Sequence, residues 1–222
     1  MKKIILKLLY IISSVLNKIF YRKNKVQANS ILNKVKIRGT NNKIVLLSGR
    51  SSKIVINGSN NCICIKGYLK NCVISINSSN SEILIGESNI FNSEFIVLDD
   101  FSLIKLGDRG YIGGARFFSA GKKNKIEIGD NFLFSDKIEF WNSDTHSLIE
   151  NGLRINPDKP INVDDNVWIG TGALILKGVN IGKDSVIAAN SIVTKNVVNN
   201  TLVGGTPATK IKENISWKFE RI

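Results

Sequence analysis

The sequence predicts an all-β protein, a three-sided parallel β-solenoid with an N-terminal amphipathic helix and one ejected loop. Three observations carry this expectation. Aliphatic residues recur every six positions at Val163, Ile169, Ile175, Ile181, Ile187 and Val193. Four residues after each stands a small or β-branched residue: Val167, Ala173, Val179, Ser185, Ser191 and Val197. Upstream, short apolar strands begin nine or ten residues apart, at Lys43, Lys53, Cys62, Cys72 and Glu82, with polar turns between them. A three-sided coil needs one large inward side chain per side and a small residue near each corner. Stacking such units buries a continuous apolar column.

Residues 1–24 read as a basic amphipathic helix. Ile5, Leu8, Ile12, Val15 and Ile19 share one stripe, while Lys3, Lys7, Asn17 and Lys18 fall elsewhere on the wheel. The uncharged run from Leu8 to Asn17 is far shorter than the ~20 residues of a membrane span. Such a stripe suits either a membrane surface or the open end of the solenoid, because periodicity does not name what it covers. Residues 1–80 hold fifteen Lys and Arg and no acid, whereas residues 81–222 hold sixteen basic and eighteen acidic residues. Charge segregated in this way implies an anionic partner near the first third. No zinc finger or RNP-type aromatic pair is present, so nucleic acid is not the expected partner.

The solenoid is expected over 25–203, with irregular coils to about residue 100 and regular hexads after it. Cys62 and Cys64 alternate along an apparent strand. Three cysteines make no disulfide framework, and they read as small buried hydrophobes in a reducing compartment. A six-residue step recurs at Ile128, Phe134 and Phe140, then stops at residue 146 and resumes at Val163. The segment between, with Asn151-Gly152, Pro157 and Pro160, reads as a loop thrown out of the solenoid, and loops on rigid scaffolds are where function gathers. Residues 204–222 form a closing loop and tail.

His146 is the only histidine and lies where the hexads break. Imidazole titrates in the range a general base needs, although an ordinary turn residue would fit the same position. Asp144 and Asn142 stand two and four residues before it, placed to orient its ring or to touch a bound acceptor, or simply to be solvated in a turn. A single histidine with scattered cysteines supports no metal site.

Three segments, Asn142-Ser-Asp-Thr-His146, Asn166-Val-Trp168-Ile-Gly170 and Gly204-Gly-Thr-Pro-Ala208, together with the hexads, resemble the hexapeptide-repeat acyltransferases. Within that family the sequence is most similar to bacterial capsule and sialic-acid O-acetyltransferases. The likeness covers about residues 101–215. It implies a left-handed parallel β-helix, a homotrimer, and acetyl-CoA held in a cleft between subunits. The implied reaction moves an acetyl group to a hydroxyl of a surface-glycan sugar, with His146 as base and no metal. It further implies that Trp168 flanks the thioester arm, with Gly170 and Gly172 offering bare backbone beside it. Gly205, Thr206, Pro207 and Lys210 would meet the adenine and phosphate end, and Lys195 is a further phosphate candidate. Asn142, Glu150 and Arg154 would face the carbohydrate acceptor. The expected location is cytoplasmic, with peripheral contact to the inner face of an anionic membrane through residues 1–23. N-acetylation of a nucleotide-linked amino sugar, and a non-catalytic trimeric scaffold, stay open as alternatives.

Overall fold

In the computed structural model the described residues, 23–28 and 33–221, form a parallel β-solenoid of about eight turns, all strand and turn. The helix expected over 1–24 lies outside them, apart from Lys23 and Asn24. Among the described residues no helix is long and apolar enough to cross a membrane.

Each coil has three faces, and each face buries at least one column of side chains. On the first face Ile44, Ile63, Ile83, Ile104, Ile126 and Ile161 stack in register. On the second, Leu69, Ile90, Ile112, Phe134, Ile169, Ile187 and Val203 do the same. The third face stacks Ile54, Ile74, Phe95, Phe117, Phe140, Ile175 and Val193. All of these are buried. The rings of Phe95, Phe117 and Phe140 lie nearly parallel with centroids 4.9 and 4.7 Å apart. That separation matches the spacing of adjacent strands, about 4.8 Å, so one aromatic per coil tiles the core without a void.

The hexad anchors and the small residues four positions after them are all buried from Val163 to Val197. There a coil is 18 residues, as the pairing of Val163 with Ile181 shows. Upstream the register steps from Ile44 to Ile63, Ile83, Ile104 and Ile126 give coils of 19, 20, 21 and 22 residues. The irregular first third therefore has the same three faces as the rest. Its surplus residues sit at the corners, where Asn41, Asn60, Asn71, Asn80 and Asn92 take positive φ, a conformation asparagine tolerates better than most side chains. Strict 18-residue coils begin only after the ejected loop, later than the boundary near residue 100 that the sequence suggested.

A polar ladder closes the corner between the third and first faces. Asn42 Nδ2 donates to Asn24 Oδ1 at 3.0 Å, and Asn61 Nδ2 to Asn42 Oδ1 at 3.0 Å. Ser81 N donates to Asn61 Oδ1 at 2.9 Å. Each side chain thus satisfies the coil above it, as buried polar groups require. Cys62 and Cys64 do share a face, but it is the outer one. Both are half-buried, and only Cys72 belongs to the core.

Candidate active site

The ejected loop leaves the third face after the strand Ile138–Trp141 and re-enters at Ile161. Asn142 stands at its root and is fully buried. Its Nδ2 donates to Ser119 Oγ at 3.0 Å and its Oδ1 accepts from Ala120 N at 2.9 Å. Asn142 therefore pins the loop to the neighbouring coil. It is not a wall of an acceptor site, because every polar atom of its side chain is consumed inside.

Asn156, also buried, laces the two arms of the loop together. It accepts from Leu148 N at 2.7 Å and donates to Asp144 Oδ2 at 2.7 Å and to His146 O at 2.8 Å. Lys177 reaches in from the next coil and donates to Asp144 Oδ2 at 2.5 Å and Asn156 O at 3.0 Å. The Lys177 ammonium holds the Asp144 carboxyl below the usual carboxylate range, against an opposing pull from partial burial and with help from Asn156. Asp144 is thus committed to Lys177 and Asn156 and does not bond the histidine ring. The His146 imidazole is exposed, and its backbone is fixed at both ends, with N donating to Asp144 O at 2.7 Å. Asp144 still acts on the histidine, through the chain and not through the ring.

Beyond His146 the loop folds into a small antiparallel hairpin in which Ile149 pairs Arg154 and Glu150 pairs Leu153. Leu148, Ile149, Leu153 and Ile155 are all more than half exposed on it. Glu150 projects to solvent. Arg154 is instead tied back to Asp158, with Nη2 to Oδ1 at 3.0 Å, and Ser143 donates to the same carboxylate at 2.5 Å. Burial alone would raise the Asp158 pKa, but these two bonds outweigh it and its carboxyl sits below the ordinary range. A cavity of about 430 Å³ opens here, lined by Asp99, Lys122, Thr145, Ser147, Arg154 and Asp158 among others.

A second concavity, of about 600 Å³, lies on the second face and the corner that follows it. Trp168, 39% exposed, forms one wall, with Val186, Leu202 and Trp217 as apolar neighbours and Thr171 and Ser135 as hydroxyls. The tail supplies Trp217, whose ring faces Trp168 at 6.2 Å and whose Nε1 donates to Asn166 O at 2.7 Å. Gly170 lines the groove, and a Cβ there would meet Ala189 N at 2.7 Å, so the floor beside Trp168 must be bare backbone; Gly172, at φ +75°, turns the chain just past it. Apolar walls with a few hydroxyls and a glycine floor suit a flexible aliphatic arm such as that of coenzyme A.

The chain then turns through the hairpin of Leu202–Gly205 and Ala208–Lys212. Gly205 N donates to Ser191 Oγ at 3.2 Å, and the Thr206–Pro207 peptide is cis. Gly205, Thr206 and Pro207 are exposed beyond the same face as Trp168. Lys210 is exposed but paired with Glu213 at 2.5 Å, so a phosphate would have to displace that carboxylate. Lys195 is exposed on the corner that carries Lys177, away from the groove. The structure therefore groups Trp168, Gly170 and Gly172 with the hairpin, and groups His146 with Asp144, Glu150 and Arg154. It does not bring the two groups together. They occupy different corners of one prism, and no residue lines both concavities. Lys177, Asn156 and Asp158 escaped the sequence reading. They stand outside the three motifs, and their roles arise only when the loop folds back. Among the described residues no cluster of His, Cys, Asp and Glu could hold a metal ion.

Residues 160–195 match the family model for the bacterial transferase hexapeptide (six repeats). The chain is 40% identical over 91 residues to the galactoside O-acetyltransferase of Escherichia coli strain K12, covering 40% of this chain and 44% of that protein. The chain spans about half the length of the curated relatives it matches. In structure it is similar to the polySia specific acetyltransferase NeuO, with a TM-score of 0.78 and 28% identity over 85% of this chain and 89% of that one. The polysialic acid O-acetyltransferase OatWY shares the fold, with a TM-score of 0.75 at 24% identity over 90% of this chain and 92% of that one.

Proposed function

We propose that this chain, which carries the bacterial transferase hexapeptide over residues 160–195, is an acetyl-CoA-dependent O-acetyltransferase acting on a sugar hydroxyl of a bacterial surface glycan. The observation that carries this reading is the likeness to NeuO over most of both chains. His146 takes the hydroxyl proton as the sugar oxygen bonds to the acetyl carbonyl carbon, and returns that proton to the departing sulfur as the carbon–sulfur bond breaks. The groove at Trp168 holds the pantetheine arm, and the hairpin with Gly205, Thr206 and Pro207 lies beyond it on the nucleotide side.

The separation of the two corners supports a working unit of more than one chain. A base at one corner and a thioester groove at another meet when the corner of one copy faces the groove of the next. A closed ring of three copies completes three such sites. The exposed apolar hairpin, Leu148 to Ile155, offers surface for that contact.

The test is release of free coenzyme A thiol from acetyl-CoA, with sialylated and neutral glycans offered as acceptors. Acceptor-dependent thiol release with an ester-linked product supports the reading. No turnover and no acetyl-CoA binding would assign the chain to a scaffold. Trp168→Ala should raise KM for acetyl-CoA, and an unchanged KM would remove the groove from the site. Light scattering at the mass of one chain would exclude the ring of three.

A further inference from the structure

The described part of the first third carries ten Lys and Arg, from Lys23 to Lys70, without an acid among them. Nine are exposed and Lys70 is half-buried. They are distributed around the prism. Lys25 and Lys43 lie on the first face, Arg50 and Lys70 on the second, and Lys34, Lys36, Arg38 and Lys53 on the third. Among the described residues, every ion pair lies at residue 94 or beyond, so none of these ten is neutralised within the chain. The coils concerned are the first three, stacked about 4.8 Å apart, so the charge is compressed into a collar about 10 Å deep at one end.

A polymer bound along a solenoid follows one face. A collar that encircles all three faces at one end is matched instead by a plane set across the axis. We propose that this end of the solenoid docks on an anionic lipid bilayer, with the axis pointing away from the membrane. A depth of about 10 Å is comparable to the Debye length, about 8 Å at physiological salt, so most of its charges act together on the surface. The sequence immediately before the collar adds five further Lys and Arg within residues 1–22, and the apolar stripe Ile5, Leu8, Ile12, Val15 and Ile19. A basic segment laid against a basic collar gains no ion pair there, whereas an anionic surface neutralises both and accepts the apolar stripe in its headgroup boundary.

The test uses the full chain and co-sedimentation with vesicles of phosphatidylcholine alone, or with about 30% phosphatidylglycerol, at low and high salt. The expected result is pelleting with the anionic vesicles only, reduced at least about tenfold in partition coefficient by raising salt from about 50 to about 300 mM. The triple variant Lys34→Glu, Lys36→Glu, Lys53→Glu should abolish most of that binding. Its side chains all point outward, and an unchanged circular dichroism spectrum confirms that it folds. Its turnover of a soluble acceptor should equal that of the parent, and the vesicle binding is read whether or not the proposed acetyl transfer is correct. Equal binding to both vesicle types, no binding at all, or full binding by the charge-reversed variant would each overturn the proposal. So would retention by an acidic polysaccharide without vesicle binding, which assigns the collar to a polymer. A full-length Leu8→Asp, Ile12→Asp variant that aggregates without lipid, from a parent that ignores vesicles, would assign the stripe to the solenoid end and overturn it equally.

Discussion

The coils before residue 100 and those after residue 160 share three faces and one continuous core, yet they differ in almost everything at their surfaces. The early coils take 19 to 21 residues and, through residue 81, carry positive charge with no acid among it. The late coil from Val163 takes 18 and displays unbroken hexads. The difference teaches that a hexad is a property of tight corners, not of the fold. A face requires only that one aliphatic or aromatic side chain per coil enter the column, and corners can grow without disturbing it. Sequence regularity is therefore highest where the corners are shortest, and that is also where the Trp168 groove lies.

The comparison is broken most forcefully at the chemistry. His146→Ala should lower kcat by about two to four orders of magnitude while leaving acetyl-CoA binding nearly intact, as loss of a general base does. Retention of more than about a tenth of turnover would assign the proton transfer to another group. Next comes the core. If early and late coils are one fold, Ile54→Ala and Ile175→Ala, both at 0% exposure on the third face, should each cost about 2–5 kcal/mol. Chemical denaturation that finds Ile54 much cheaper would make the first third a loosely packed appendage. A smaller effect belongs to the ladder special to the early coils. Asn61→Ala strands the Ser81 amide and removes the donor to the Ser78 carbonyl, and should cost about 1–3 kcal/mol in the same measurement.

The smallest effect lies at the loop. The Asp144 pKa is depressed in the folded chain, so its pairing with Lys177 contributes fully above the ordinary carboxylate range and is lost as pH falls through the depressed value. Lys177→Met should move that loss to higher pH. Limited proteolysis of the loop across a pH series reads the shift directly. Cleavage profiles that coincide for the two proteins would show that Asn156 alone secures the loop.

Much of this was legible in the sequence. Val163 through Val197 declared the faces, and the break at His146 declared the loop. The first third was legible as strands on irregular coils but not as hexads, because one to three extra corner residues per turn erase a six-residue period without changing the three-sided path. The role of Asp144 was not legible. Its spacing from His146 suggested a ring contact, but its partner, Lys177, arrives from a coil thirty-three residues later. Asn142 misled for a related reason. A residue beside a catalytic motif can be spent entirely on holding the loop root, and only burial distinguishes the two uses. Trp217 was visible as the close of the tail, whereas its approach to Trp168 depends on how the tail folds back.

The collar has one more consequence, for how copies behave in a crowded solution. The strand Lys25–Ala28 pairs with one strand among the described residues, Lys43–Arg50. A strand edge is a template onto which another strand can add, the route by which β-sheets grow into fibres. Here Lys25 lies on that strand, and Lys34, Lys36 and Arg38 lie on the same coil. Two such ends brought face to face must bring like charges within a few ångströms, so the charge that would draw this end to a lipid surface also keeps it from joining to its own kind.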